Sequence, residues 1–248
     1  MFTWCIGFKS WYYEHLEHCL RSISAQMMPN DSLVVCDLGS YGTFKGMYPA
    51  NPLTAVFNLA TSHKAKFISY PRRIWSRSLA LNRAAMLAET SYLVFTDADM
   101  IFPRSWRTVT ARNLGMVPGV FLTKGHMLLT PSRDLPEGFC GPWSDGDLET
   151  ASTQHPLVGQ GAAMVVAASW FRKVGGFDER YTVWGCEDND LVYRMEWDGG
   201  VVLWQRDNFV AHQWHDRTAT PEMMSVVRSN REYLAQRIAE SGPIVRNR

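Results

Sequence analysis

Short apolar runs alternate with helical patterns along the first hundred residues. Phe2–Phe8 is one such run, followed by Leu16, Leu20 and Ile23 at helical spacing as far as Gln26. Pro29-Asn30-Asp31 marks a turn. Leu33–Cys36 is then a buried-strand pattern ending at Asp37, with Gly39 and Gly42 opening a loop. Lys66–Ser69 predicts another short strand, and Ser78–Glu89 a helix free of Gly and Pro. Tyr92–Phe95 predicts a strand that runs into Asp97-Ala98-Asp99. Such alternation predicts an α/β fold built on a mostly parallel sheet.

The second half is less regular. From about Leu114 to Pro156 the chain is rich in Gly, Pro and Asp, which predicts loops with one strand around Met127–Leu129. Ala162–Val166 and Val201–Trp204 read as strands. Glu187–Trp197 reads as a helix closed by Gly199-Gly200. Thr220-Pro221-Glu222 is a helix start, with Pro in the first turn, and that helix runs to about Ala239. No repeat or linker divides the 248 residues. One domain is expected, with a half over about 1–112, a second half over about 113–219 and a C-terminal helix over 220–240.

A net charge of +1 gives no global field for nucleic acid or anionic membrane. The five cysteines are scattered and form no C-x-x-C pair, which argues against a disulfide framework or zinc site and for a reducing compartment. No signal peptide or membrane-length apolar stretch is visible, so a cytoplasmic protein is expected. Ten tryptophans exceed ordinary usage. Core packing accounts for most of them, and exposed aromatic faces suit sugar rings.

Four segments carry chemistry. Asp97 and Asp99, two apart after an apolar strand, put two carboxylates on one side of the chain, a pattern that holds a hard divalent cation. Two solvated loop acids are an equally good account of the dipeptide alone. Gly175-Gly-Phe-Asp-Glu-Arg-Tyr leads to Trp184-Gly-Cys-Glu187-Asp188-Asn-Asp190, where three acids open a helix whose N-terminal field favours them. Capping explains one acid but not three; Asp190 is read as a structural partner of Arg194, four residues on. His212 and His215 are imidazoles suited to Mn²⁺ beside carboxylates, although this spacing is no diagnostic zinc signature. Asp37, at a strand end before Gly39-Ser40, is placed to accept from a base N–H or to cap a turn.

In this order the pieces resemble the GT-A glycosyltransferases. Val34–Ser40 looks like the nucleotide-binding strand of family 2 enzymes. Leu81-Asn82-Arg83-Ala84 followed by Leu93–Asp99 looks like the run into their Asp-x-Asp metal motif. The Gly175–Tyr181 and Trp184–Met195 segments are similar to the acceptor site of β-1,4-galactosyltransferases and chondroitin polymerases. The resemblance extends from Phe2 to about His215. It implies the GT-A fold and an inverting hexosyltransferase using Mn²⁺ or Mg²⁺ and a UDP-sugar of the Gal, GalNAc or Glc type. It implies Asp188 as catalytic base and Glu187 on the acceptor hydroxyls, with Trp184 as a wall for the acceptor sugar. Asp99, His212 and Asp97 would serve the metal, and Asp37, Asn82, Asp97 and Asp99 the donor. His212 fits the late metal ligand better than His215.

The sequence departs from the family at Leu81, where many relatives carry Arg; Arg72, Arg73, Arg77 and Arg83 are the nearby cations. A glycan hydroxyl is the expected acceptor, and a modified nucleic-acid base is a second reading. A nucleotidyltransferase is disfavoured because Gly7-Phe8-Lys9-Ser10 is poor in the glycines and cations that hold a triphosphate. A non-catalytic sugar-nucleotide-binding protein would not need both the metal acids and Asp188.

Overall fold

The computed structural model describes residues 1–10, 12–42, 50–114, 119–131, 152–157, 162–215 and 220–247, with backbone alone over 124–131, 152–157 and 206–207. The described elements are β1 (Phe2–Phe8), α1 (Tyr13–Ser24), β2 (Ser32–Asp37), α2 (Pro52–Ser62), β3 (Lys66–Ser69), α3 (Arg77–Ala85), β4 (Tyr92–Thr96), β5 (Met100–Ile101), α4 (Trp106–Leu114), β6 (Gly119–Pro131), β7 (Ser152–Leu157), β8 (Ala163–Ala167), α5 (Ala168–Lys173), α6 (Glu187–Trp197), β9 (Val201–Trp214) and α7 (Pro221–Glu240). The strands form one sheet in the order β3-β2-β1-β4-β8-β6-β9-β5, with β7 on β6. β1 to β4 are mutually parallel; β8 is antiparallel to both β4 and β6, and β9 runs parallel to β6.

The pleat of β1 explains the layering. Phe2, Trp4, Ile6 and Phe8 point to one face and join Leu16, Leu20 and Trp106 from α1 and α4. Cys5, with Val34 and Cys36 of β2, points to the other face and packs against α3 and α5 through Ala80, Leu81 and Phe171. β1 is thus covered on both faces, which is why its sequence is a near-continuous apolar run, broken by Thr3, rather than an alternating one.

The middle of the chain differs from the loop-rich expectation. β6 runs over 13 residues and β7 pairs with it, while residues 132–151 lie outside those described. Gly119 hides the start of β6: a Cβ there would meet the Val201 carbonyl oxygen at 2.5 Å, so the β6–β9 approach requires glycine. β9 extends ten residues past the expected Trp204. Polar residues mask its continuation, because Gln205 and Asn208 are buried and spend their amides on α4 and β6. Gln205 donates to Thr123 at 2.9 Å, and Asn208 donates to Thr110 at 2.9 Å and to the Trp106 carbonyl at 3.1 Å. No helix among the described residues is long and apolar enough to cross a membrane.

Candidate active site

β5 is two residues long, and it pairs Met100 with His212 of β9. The Gln213 amide donates to the Asp99 carbonyl at 2.9 Å, so Asp99 and the end of β9 are locked together across more than a hundred residues. The Asp99 carboxylate then lies 3.5 Å from His212 Nε2 and 3.4 Å from His215 Nε2. The three side chains can offer ligand atoms within 4.8 Å of one another. Asp99 Oδ1 is buried with no hydrogen-bond partner. A buried, unsatisfied carboxylate oxygen beside two imidazoles fits a divalent cation of the Mn²⁺ type. Both histidines approach Asp99, whereas the sequence singled out His212.

Asp97 is engaged differently. Arg77 Nε donates to its carboxylate at 2.5 Å, and Arg77 Nη1 donates to Glu187 at 3.3 Å. Arg77 is buried at the start of α3, where the helix field disfavours a cation. Burial works against its charge, but Asp97, Glu187 and Asp188 outweigh it and keep it protonated. Of the four arginines that the sequence left inseparable, Arg77 stands in the site. Its signal was position: Ser76 caps α3 by accepting from Leu79, so Arg77 opens the helix. Arg72 and Arg83 instead lie over the Tyr70 ring, at 4.6 and 4.5 Å.

Glu187 and Asp188 begin α6. Burial raises the Glu187 carboxyl to about 7, Asp188 adds to the rise, and Arg77 opposes it. Asp188 is also raised by burial, against the pull of Arg77. Glu187 Oε2 has no partner, and Asp188 Oδ1 accepts from the Asn189 amide at 2.9 Å. Asp190 turns away to Arg194 at 2.7 Å, both fully buried, as the four-residue spacing predicts.

Trp184 is 40% exposed on a loop with left-handed backbone at Val183, Gly185 and Cys186. Neighbours hold that conformation. Val183 N donates to the Trp75 carbonyl at 3.0 Å, and Asn230 of α7 donates to the Thr182 and Trp184 carbonyls at 2.9 and 3.1 Å. Neither Asn230 nor α7 was assigned a site role from sequence.

Asp37 Oδ1 accepts from the Gly39 and Ser40 amides at 2.5 and 2.6 Å; its Oδ2 is buried and unpartnered. Burial raises its pKa despite these bonds. Asn82 is fully occupied elsewhere. Its amide nitrogen donates to the Phe177 carbonyl and to Glu179, and its oxygen accepts from Phe177 N, all at 2.9 Å. A Cβ on Gly176 would meet that oxygen at 2.7 Å. These bonds tie α3 to the Gly-Gly-Phe turn.

Residues 154–210 match the family described as the N-terminal domain of galactosyltransferase, a stretch that includes Trp184, Glu187 and Asp188. No curated protein sequence matches the chain significantly. Among solved structures, the mannosyltransferase PcManGT from Pyrobaculum calidifontis, in complex with GDP-Man and Mn²⁺, aligns with TM-score 0.59 and 17% identity over 98% of this chain and 72% of that one. GalNAc-T7 with UDP, GalNAc and Mn²⁺ aligns with TM-score 0.63 and 14% identity over 99% of this chain. TarS from S. aureus aligns with TM-score 0.61 and 14% identity over 96% of it. The chain spans about half the length of GalNAc-T7 (51%) and 39% of TarS. The fold is therefore that of the GT-A glycosyltransferases. Within it, residues 154–210 carry a galactosyltransferase-like sequence.

Proposed function

We propose that this chain is a metal-dependent inverting glycosyltransferase that moves a hexose from a UDP-sugar to a glycan hydroxyl. One observation carries the reading: Arg77 bridges the Asp97-Ala98-Asp99 motif to Glu187, beside Asp188. Donor-side and acceptor-side acids thus meet around one buried guanidinium. Mn²⁺ in two of the similar structures and the galactosyltransferase-like segment support it.

Asp99, His212 and His215 would hold the cation, which when bound offsets charge growing on the leaving diphosphate. Asp97 is spent on Arg77 and serves the metal indirectly, by fixing the strand end that carries Asp99. The free Asp37 oxygen accepts from the base N–H. Trp184 offers its exposed face to the acceptor sugar, and Glu187 holds an acceptor hydroxyl through its free oxygen. Asp188 takes the acceptor proton; its raised pKa makes it a better base than an exposed aspartate. A single base supports one displacement with inversion.

Asp188→Asn tests this. Transfer should fall by about 10²–10⁴-fold, while UDP and Mn²⁺ binding, followed by calorimetry, persist. Normal turnover in that variant would remove Asp188 from the mechanism. The product released from a UDP-sugar discriminates the reaction class: UDP marks glycosyl transfer, hexose 1-phosphate marks nucleotidyl transfer.

A further inference from the structure

The helix that clamps the Trp184 loop also carries two arginines of unusual standing. Most arginines around the loop are spent on acids. Arg77 serves Asp97 and Glu187, Arg180 serves Asp178, Arg194 serves Asp190, and Arg237 serves Asp190 and Glu240. Arg228 and Arg231 of α7 are exposed and lie within ion-pair distance of no carboxylate among the described residues. Glu232 stands four residues after Arg228, yet the two do not pair.

Their placement is set by the contacts of α7. Val227 is the side chain nearest a Cβ built on Gly185, at 3.7 Å, and Asn230 holds the Trp184 carbonyl. Arg231 follows Asn230 and lies one turn beyond Val227, so it flanks the helix stripe that touches the loop. Its charge is felt at Cys186, the residue before Glu187. Arg228 is one turn back along the same flank. Arg231, with Arg228 one turn back, therefore places positive charge on the flank of α7 that adjoins the Trp184 loop.

That charge has a chemical consequence. Glu187 and Asp188 repel any negatively charged acceptor that approaches the base. A neutral sugar needs no compensation for this, whereas an anionic sugar does. We propose that the acceptor is an anionic glycan, and that Arg231, assisted by Arg228, binds a carboxylate or phosphate carried near the reacting hydroxyl. This rests on the glycosyl-transfer reading above and names its acceptor class. The recognised chemistry is an oxyanion on a sugar, and the two sources of it are separated by the test.

The test compares acceptors matched except for charge: uronate-ended and phosphate-bearing oligosaccharides, each with its neutral counterpart. Transfer is measured with Mn²⁺ and a UDP-hexose, and binding of the same probes is measured by calorimetry. The charged member should be preferred by roughly three- to fivefold in kcat/KM, and the preference should shrink as salt is raised. Whichever arm shows it, uronate or phosphate, identifies the source. Arg231→Gln and the double Arg228→Gln/Arg231→Gln variant should lose the preference, with thermal unfolding confirming that both fold. Equal use of charged and neutral acceptors, or a preference that survives the double variant, overturns the proposal. If no UDP-sugar is turned over at all, the glycosyl-transfer reading fails, and the calorimetric arm still decides the oxyanion site: no charge-dependent binding refutes it.

Discussion

Arg77 donates to Glu187 across 3.3 Å although 110 positions separate them in the chain. The same guanidinium holds Asp97 at 2.5 Å. One side chain thus joins the first turn of α3, the end of β4 and the first turn of α6. Removing it leaves Glu187 and Asp188 crowded without a counter-charge. Breaking a buried pair from one side costs about 3–5 kcal/mol. Arg77→Met should therefore lower unfolding stability by about that amount, read in urea melts. An unchanged midpoint would mean that Arg77 does not neutralise this cluster.

The same crowding sets a pH dependence. Burial, reinforced by Asp188, raises Glu187 to about 7 in the folded protein. Unfolded, a glutamate titrates at about 4.3. The folded state therefore binds this proton more tightly. Its stabilising effect is complete below the unfolded pKa and is lost as pH rises through about 7. Melts in EDTA should show declining stability between about pH 5 and pH 8, and Glu187→Gln should flatten that decline. An equal slope in the two proteins would contradict the assignment.

Much of the framework was legible in the sequence because parallel strands buried on both faces are near-continuous apolar runs. β1, β2, β3, β4 and β8 fall close to where Phe2–Phe8, Leu33–Cys36, Lys66–Ser69, Tyr92–Phe95 and Ala162–Val166 place them. α6 matches Glu187–Trp197 at both ends. β9 was truncated because Gln205 and Asn208 look like loop residues until Thr110, Thr123 and the Trp106 carbonyl are seen to satisfy them. Similar logic applies to the site. Acids near one another in sequence were visible, but the Arg77 bridge and the Asp99–His215 approach depend on strand pairing between distant segments. The contacts of Asn82 were equally hidden: its amide bonds Phe177 and Glu179, which lie some 95 positions away.

Asn230 holds the Trp184 loop against three left-handed residues, Val183, Gly185 and Cys186. Non-glycine residues in that region carry strain of about 1–3 kcal/mol each, so the loop depends on such external bonds. Asn230→Ala should raise the acceptor KM several-fold and leave the donor KM within about twofold, because a misplaced wall affects acceptor orientation first. Parallel loss of donor and acceptor affinity would indicate general unfolding instead.

The proposed cation site gathers Asp99, just before β5, with His212 and His215 at the end of β9. The most direct measurement is UDP release from a panel of UDP-hexoses, with Mn²⁺ and with EDTA, for the native chain and for Asp99→Asn. Release is expected with Mn²⁺ from at least one donor, with none in EDTA and a sharp loss in the variant. Release that ignores EDTA, or hexose 1-phosphate in place of UDP, would contradict that expectation.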